Sequence, residues 1–524
     1  MLNKVLDYPL RLTGIICLLL YFTAGIFFNS DMLTGEEISF LLIGSIFALC
    51  GADFNQRLII LLAGAFLFLI YLLCFPALPL FLTGAELSLL ATLFYFRRKE
   101  KAVFPFAIIA AAFLCHLYYI QATALEVRQH DLNGILLYMQ EITDNGLNWR
   151  AFNPWNMYYL FHQPLHFFIS GHIYRLSLAL WDSRSLAGEL LQYVSLFYVT
   201  ASSILAAMIL KELKLPYFLF LTGVTLFAFH PTLFLFSGYI SDDAPVVFWG
   251  LAVTYFVLRW YKTNFTAYLL YAALCFGGGV LTKLSMLMMV PALSVLFAYK
   301  LIKNKEKRAD IYQGLCLFII IAVPLSLLWV IRNHILYDMP FYNVPDTSPW
   351  GQNFKNLSFT ERISDFSQLF SPFLSVPASV DANIWLAILK TELFGEWNPF
   401  IHRSLAYYPA FFIYLFNLII KPLVLGGLIV LLPKIKRLPS LIFPFIVFWL
   451  IQYVTVWSYG FKYAMDYPYA CSTDYRLFAQ LLLPEIIFIC MILRILAKKR
   501  QQIGIFTVAL AYATIISCVY FSML

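Results

Sequence analysis

The chain has 524 residues, of which 62% are hydrophobic and only 12% are charged, and its formal net charge is +8. A soluble domain usually has about 45–50% apolar residues, so one water-soluble core is excluded. Many separate apolar runs reach the ~17–25 residues that a helix needs to cross a bilayer. These features predict an all-α polytopic membrane protein. The Lys and Arg clusters stand in short gaps between the runs, which is typical of cytoplasmic loops rather than of a nucleic-acid-binding surface.

The first 98 residues contain four apolar runs that predict spans. These lie at 10–29, 38–51, 58–75 and 77–96. The fourth run ends in the basic sequence FRRKEK, which the positive-inside rule assigns to the cytoplasm. We therefore expect the next span to run outward.

That next span, at 102–121, makes residues 122–184 an external loop. Within it, GILLYMQEITDNGLNW (134–149) has apolar residues at helical spacing and predicts an amphipathic helix on the membrane surface. The run 157–181 is nearly long enough to span, but it contains three histidines and Gln163. We interpret it as interfacial, because a span there would place the basic clusters KELK, RWYK and KNKEKR outside.

The rest of the chain contains ten further predicted spans, with every strong basic cluster in the cytoplasm, for a total of about fifteen. They lie at 185–210, 215–235, 245–260, 266–282, 286–302, 310–330, 405–432, 439–457, 477–496 and in the C-terminal residues. Residues 331–402 form a second long external stretch.

Unusual polar residues collect at the external ends of these spans. They are Asp131, His162, His166, Asp242, Asp243, Lys283, Arg332, Asp474 and Arg476. Ionisable groups at membrane depth are costly and are therefore functional candidates. Arg and Lys form charge-assisted hydrogen bonds to phosphate, and a carboxylate can accept the proton of a hydroxyl. The pattern predicts chemistry on an anionic substrate held in the membrane.

The aspartates also have a structural interpretation. Asp131 in HDLNG is a good cap for the helix that follows. The sequence SDDAP has a cap residue followed by proline in the first turn, which accounts for one of Asp242 and Asp243. Both interpretations stay open at this point.

The basic residues have structural alternatives as well. Lys283 could be a snorkelling residue of a hairpin, and Arg332 and Arg476 could be structural ion-pair partners. His162 and His166 are spaced to share a helix face, but a metal site of the two alone is disfavoured because no carboxylate stands at a neighbouring ligand spacing. Neither a Walker-type nor a dinucleotide-binding glycine motif occurs in the sequence, so no nucleotide cofactor is expected.

Several blocks, in this order, resemble GT-C membrane glycosyltransferases of the protein O-mannosyltransferase and lipid A aminoarabinose transferase type (glycosyltransferase family 39-like). The blocks are RQHDLNG, FHQPLHFFISGHIYRL, SGYISDDAPVVFWGLAVTYFVLRW, GGGVLTKLSMLMMVPALSVL and WVIRNHILYDMPF. Gln163 replaces the first proline of a family segment similar to HPPLHYLL. LKTELFGEW (389–397) and YPYACSTDYRLF (467–478) resemble blocks of a bacterial branch of the family.

The resemblance covers roughly residues 100 to 480 and implies a GT-C-type helix bundle. It implies a catalytic core at 99–496 with external loops at 122–184 and 331–402. The four helices of 1–98 are then accessory, and 497–524 is a C-terminal transmembrane helix.

The resemblance also implies an activity. The enzyme would lie in the plasma membrane and move a sugar from a polyprenyl-phosphate donor to a hydroxyl of a glycan, lipid or protein on the extracytoplasmic face, in one inverting displacement. The acidic residue of the first external loop is the usual catalytic candidate, and by position this is Asp131. Its partners would be the donor, the acceptor and membrane lipids, and no nucleic acid.

The other candidate residues take roles around this base. Donor phosphate binding is expected of Lys283, Arg332, Arg476 and Arg128. Donor or acceptor positioning is expected of His130, His162, His166, Asp242, Asp243 and Asp474. A divalent metal, Mg²⁺ or Mn²⁺, held by Asp131, Asp242 and Asp243 is left open.

The alternative from another class is a transporter or flippase for a polyprenyl-linked or anionic substrate. Such a protein is expected to place ionisable groups near the bilayer midplane, often on broken helices in two matched halves. No such repeat is visible in the sequence, and the polar residues stand at external span ends. The enzyme is therefore the favoured hypothesis.

Overall fold

The computed structural model describes ten segments of the chain: residues 103–126, 129, 131–145, 153–155, 162–339, 357–374, 381–396, 404–431, 442–466 and 470–522. These segments contain α-helices and short 3-10 helices and no strand. The predicted all-α class is confirmed. The four spans predicted within residues 1–98 lie outside the described residues.

The described part has sixteen α-helices, numbered here in chain order. They are α1 (Val103–Ala122), α2 (Leu132–Asn145), α3 (Pro164–Trp181), α4 (Arg184–Glu212), α5 (Tyr217–Ala228), α6 (Pro231–Gly238), α7 (Asp243–Thr263), α8 (Ala267–Thr282), α9 (Val290–Lys303), α10 (Arg308–Tyr337), α11 (Phe359–Ser364), α12 (Ile384–Phe394), α13 (Ser404–Leu431), α14 (Ile442–Asp466), α15 (Leu482–Leu496) and α16 (Lys499–Ser522).

Within this part, eight helical stretches are long and apolar enough to cross a membrane. They are Phe104–Ala122, Arg184–Glu212, Tyr217–Gly238, Asp243–Thr263, Leu284–Lys303, Lys305–Tyr337, Phe443–Asp466 and Tyr475–Leu496. Each span predicted beyond residue 100 coincides with one helix or two consecutive helices. Helix α3 is not among the eight stretches found in the described residues, and whether the run 157–181 is interfacial stays a prediction.

The predicted amphipathic helix is α2, and it packs against α3, which in turn packs on α4 and α8. Its buried residues include Ile135, Tyr138, Met139 and Ile142, whose spacing places them on one helix face. Phe167 of α3 joins the same apolar cluster. The α2–α3 pair therefore lies over one end of the bundle.

The two ends of the bundle carry different charged groups. At one end, Glu212 of α4 pairs with Arg259 at 2.9 Å and with Lys262 at 2.5 Å, both near the end of α7. At the other end, the start of α7 contacts Lys283, which follows α8. A helix rises about 1.5 Å per residue, so the length of α7 separates the KELK and RWYK clusters from SDDAP and Lys283. The structure thus agrees with the prediction that the basic clusters and the site residues lie at opposite ends of the spans. Which end faces the cytoplasm stays a prediction.

One predicted span is divided into two helices. The run 215–235 forms α5 and α6, which are separated at His230 and Pro231. Proline lacks a backbone N–H and clashes within a helix, and the residue before it favours an extended conformation. His230 has φ −64° and ψ 134°, and its Nδ1 accepts a hydrogen bond from the N–H of Thr232.

A buried cluster of charged groups joins four helices beside this break. Lys421 of α13 lies 2.6 Å from Glu392 of α12 and 2.7 Å from Glu485 of α15. His230 Nε2 lies 3.3 Å from Glu392 Oε1. Tyr520 of α16 donates a hydrogen bond to the carbonyl of Leu393 at 2.6 Å. The C-terminal helix is therefore packed into the same bundle.

Candidate active site

Asp131 stands directly before α2 in an uncommon backbone conformation. Its φ is +57°, in the left-handed region that Asp tolerates better than most residues. Its carbonyl accepts the N–H of Ile135 at 3.0 Å, which begins the helix. Helix-capping residues usually have extended backbone and bind a helical N–H with the side chain. The residue is exposed.

Asp242 and Asp243 stand at the start of α7. Both are buried, at 4% and 1% exposure. Asp242 occupies the cap position without a side-chain cap bond, and Asp243 accepts a hydrogen bond from Ser241 Oγ at 2.8 Å. Lys283 Nζ donates to Asp242 Oδ1 at 2.9 Å and also to Asp243 Oδ1. Asp242 therefore occupies the predicted cap position, but the carboxylates of both aspartates bind Lys283.

Lys283 reaches the aspartates because it ends α8 in an extended conformation, with φ −155°. Its side chain is 16% exposed and its Nζ lies 2.9 Å from Asp242 Oδ1. Burial alone would lower the pKa of Lys283, but Asp242 and Asp243 outweigh burial, and that pKa lies above its usual value. Burial alone would raise the pKa of Asp242, but Lys283 and His162 outweigh burial, and that pKa lies below its usual value. Lys283 and Asp242 are therefore both charged at neutral pH.

The two histidines have different surroundings. Helix α3 begins at Pro164, so His162 precedes it, and the expectation that His162 and His166 share a helix face is wrong. His162 Nδ1 lies 3.7 Å from Asp242 Oδ2. His166 is buried, and burial lowers its pKa, so its neutral ring donates from Nε2 to the carbonyl of Ile240 at 3.0 Å.

Arg476 links a third chain segment to the same end of the bundle. Its Nε lies 3.1 Å from Asp474 Oδ2, and its Nη2 lies 3.8 Å from Glu396 Oε1. Its own backbone N–H donates to Asp474 Oδ1 at 3.0 Å. The carboxylates of Asp243 and Asp131 also interact electrostatically with its guanidinium. Arg476 therefore lies in an electrostatic field dominated by carboxylates.

Arg332 lies on the last turns of α10, because this helix continues to Tyr337 rather than ending at the predicted residue 330. Its guanidinium donates to Asn333 Oδ1 at 2.6 Å and lies over the rings of Trp329 and Tyr337, at 4.4 and 4.7 Å. It also interacts electrostatically with Tyr138 of α2, as Asp242 does. Arg332 thus lies at the same end of the bundle.

Two predicted site residues, Arg128 and His130, lie outside the described residues. Gln129 between them is described, and sequence reasoning missed it. Its Nε2 donates to the carbonyl of Gly238, and its Oε1 accepts the N–H of Ile240 at 3.1 Å. Sequence reasoning also missed Glu396, an acidic residue two positions after the end of α12. A neutral glutamine gives no local signal of such a role, whereas Glu396 is visible in the LFGEW block as an acid at a helix end.

The described side chains do not fit a resident metal. No group of three or more His, Cys, Asp or Glu side chains in the described segments is arranged to hold one. Asp242 and Asp243 direct oxygens at Lys283 Nζ, so an ammonium group takes the place between them that a cation would need. No step is therefore assigned to a metal.

The apolar helices, with paired carboxylates and cations at one end, define an integral membrane protein with a polar site at the ends of its spans. Residues 191–334 match the family model of dolichyl-phosphate-mannose-protein mannosyltransferase. This is a GT-C family, so the resemblance is confirmed. The matched segment extends from α4 to α10, and Asp131 and Arg476 lie outside it. No curated protein matches the chain at a significant level. The family match supports a membrane glycosyltransferase that uses a polyprenyl-phosphate sugar donor.

Proposed function

We propose that the chain transfers a sugar from a polyprenyl phosphate to an acceptor hydroxyl at the extracytoplasmic end of the bundle, with inversion at the anomeric carbon. The observation that carries this proposal is the cluster of Asp242, Asp243, Lys283, Asp474 and Arg476 in a chain whose residues 191–334 match a family that uses lipid-phosphate sugars. The acceptor is a hydroxyl of a protein, a glycan or a lipid.

Asp131 is the proposed general base. Of the four aspartates in the cluster, Asp242, Asp243 and Asp474 are buried and bound to cations, whereas Asp131 is exposed. An exposed carboxylate can approach an incoming acceptor, and a general base must reach hydrogen-bond distance from the proton that it removes. Asp131 has a left-handed backbone conformation directly before α2, so its position relative to that helix is defined.

The reaction is a single displacement. The Asp131 carboxylate takes the proton of the acceptor hydroxyl, and the acceptor oxygen attacks the anomeric carbon. The bond between that carbon and the phosphate oxygen breaks on the opposite face, so configuration inverts. Polyprenyl phosphate leaves with the electron pair of the broken bond.

The cations serve the leaving phosphate, where negative charge develops in the transition state. Lys283 and Arg476 are each held by two carboxylates, which fixes their positions before the donor arrives. Arg332 is held by an amide oxygen and two aromatic rings. We assign donor phosphate binding to these three residues, because charge-assisted hydrogen bonds from fixed cations are strong and directional.

A transfer assay tests this function. The purified protein, reconstituted in liposomes, receives a polyprenyl phosphate carrying labelled mannose together with membrane extract as acceptor source. The proposal predicts release of polyprenyl phosphate, label on an acceptor and inverted configuration of the new bond. If the lipid-linked sugar stays intact with every acceptor fraction, the enzyme function is wrong.

A lipid-linked substrate flippase is the second candidate, and one observation favours it. Helices α5 and α6 form a broken span, and the charged cluster of His230, Glu392, Lys421 and Glu485 lies beside the break, as transporters often arrange their ion sites. A flippase moves its substrate unchanged. Transbilayer movement of an intact lipid-linked sugar in the same liposomes, without release of polyprenyl phosphate, would support this candidate.

A further inference from the structure

The connection between α6 and α7 is held by side chains from three other parts of the chain. Ser195 of α4 donates to the carbonyl of Tyr239. His166 of α3 contacts the carbonyl of Ile240 at 3.0 Å. Gln129, from the loop before α2, contacts this segment twice. Residues 238–240 are therefore fixed although they lie outside any helix after Gly238.

Gln129 contributes both ends of its carboxamide. Its Nε2 donates to the Gly238 carbonyl, and its Oε1 accepts the Ile240 N–H at 3.1 Å. This pair of bonds resembles the paired N–H and C=O hydrogen bonds between two neighbouring β-strands. Gln129 is only 8% exposed. Buried backbone groups need such partners, because an unsatisfied one costs about 1–3 kcal/mol. Only a side chain with a donor and an acceptor at this length satisfies both.

The two hydrogen bonds of Gln129 to Gly238 and Ile240 are called the clamp below. The clamp is relevant to catalysis because of where Gln129 stands in the chain. Asp131 follows Gln129 by two residues, and Asp242 follows Ile240 by two residues. Two residues of chain span at most about 7 Å, so each aspartate lies within that distance of a residue that takes part in these hydrogen bonds. The clamp thereby sets the distance between the two acidic segments.

We propose that Gln129 is a positioning residue that fixes Asp131 relative to Asp242, Asp243 and Lys283. This inference rests on the proposed function, in which Asp131 is the base and Lys283 serves the phosphate. Without the clamp, the segment that carries Asp131 can shift relative to Asp242, Asp243 and Lys283. A displacement of about 1 Å can lower a rate on the order of 100-fold, so the chemical step is more sensitive than donor binding.

The first test compares Gln129→Leu with Gln129→Asn and with a control, Gln121→Leu. Gln121 lies near the end of α1 and donates a part-buried bond to Tyr193 at 3.3 Å. We expect Gln129→Leu to lower kcat by roughly 10- to 100-fold, with the KM for the donor changed by less than about threefold. Gln129→Asn retains both groups on a shorter side chain and should fall between the wild type and the leucine variant. Gln121→Leu should stay within about twofold of the wild type.

The second test uses Gln129→Glu, which changes only the donor end. An ionised carboxylate cannot donate to the Gly238 carbonyl, whereas a protonated one can donate there and still accept the Ile240 N–H. The ratio of variant to wild-type kcat should therefore rise as pH falls from about 8 to about 5.5, toward the range where a buried carboxyl gains a proton. Titratable neighbours include Glu126 and Asp131 along the chain from Gln129, Asp242 and Asp243 along the chain from Ile240, His166 on the Ile240 carbonyl, His162 beside Asp242, and Glu189 on the N–H of Leu125. They are present in both proteins, so the ratio at each pH removes their contribution.

A third measurement does not depend on activity. Hydrogen–deuterium exchange at the Ile240 amide should be faster in Gln129→Leu than in the wild type, and unchanged in Gln121→Leu. If exchange at this amide is the same in all three proteins, the clamp is absent and the inference is overturned. It is also overturned if kcat of Gln129→Leu equals that of the wild type, or if the Gln129→Glu ratio is independent of pH.

Failure of the proposed function has a different signature. A wild-type protein that transfers no sugar contradicts the function, while amide exchange still reports on the clamp. An Asp131→Asn variant that loses transfer, beside Gln129 variants that keep full kcat, contradicts the positioning role alone. If Gln129→Leu does not fold, as judged by monodispersity in detergent, the asparagine and glutamate variants decide the outcome.

Discussion

Replacement of Lys283 with methionine should destabilise the protein in a manner that depends on pH. In the wild type, the ammonium group lies against Asp242 and Asp243, whose side chains are 6% and 1% exposed. Methionine has a similar length but no charge, so two adjacent buried carboxylates lose their cation. Removing one partner of a buried ion pair costs about 3–5 kcal/mol, and we expect a loss of this size in the free energy of unfolding at pH 7.

The sign of the pH dependence follows from Asp242. In the wild type its pKa lies below the usual value, so its contribution to stability is present above the unfolded-state pKa and is lost only as pH falls through the lower folded-state pKa. Without Lys283, burial and Asp243 raise that pKa instead. The deficit of Lys283→Met should therefore shrink as pH falls from 7 toward the unfolded-state pKa of about 3.9, because the raised carboxyl becomes protonated.

Unfolding in detergent, followed by tryptophan fluorescence at several pH values, measures this effect. Lys283→Arg is the charge-conserving control and should lose less stability than the methionine variant at pH 7. A second substitution, Asp242→Asn in the Lys283→Met background, should restore part of the loss because it removes one uncompensated charge. A methionine variant as stable as the wild type, or one whose deficit is the same at every pH, would refute the account of this cluster.

Two further predictions concern packing inside the bundle. Lys421→Met should reduce the free energy of unfolding by about 3–5 kcal/mol, because Glu392 and Glu485 lose the cation that they share. Equal stability of the variant and the wild type in the same unfolding assay would contradict this prediction. Gly277→Ala should lower stability by about 1–3 kcal/mol through overpacking, because the added Cβ would lie 2.5 Å from a side-chain carbon of α10. The matched control is Gly278→Ala, whose Cβ meets its nearest neighbour at 3.6 Å, and a loss as large there would show that close packing of α8 and α10 is not the cause.

The helices could be predicted because apolar length and the placement of Lys and Arg are properties of the linear sequence. The division at His230 and Pro231 was missed, because the residues on both sides are apolar and the run was interpreted as one span. The proline itself was the available signal, since it removes a helical hydrogen bond and favours an extended residue before it.

The members of the candidate site were easier to predict than their pairing. Asp242, Asp243 and Lys283 stand out as charges at span ends, but their ion pairs join residues about 40 positions apart. Gln129 contacts Ile240 across 111 positions, and nothing in its neighbourhood distinguishes it from a solvated glutamine. Contacts between residues so far apart in the chain depend on tertiary packing, such as that of α7 against α8. Local sequence patterns do not specify this packing.

The most direct test of the central claim is the turnover of Asp131→Asn with a polyprenyl-phosphate sugar and a defined acceptor. Asparagine conserves shape but cannot accept the proton, and loss of a general base typically lowers a rate by roughly 10²- to 10⁴-fold. The control is Asp144→Asn, which changes an exposed aspartate near the end of α2. We expect kcat of Asp131→Asn to fall by at least about 100-fold, while the control keeps wild-type turnover. Equal turnover of Asp131→Asn and the control would show that Asp131 is not the base.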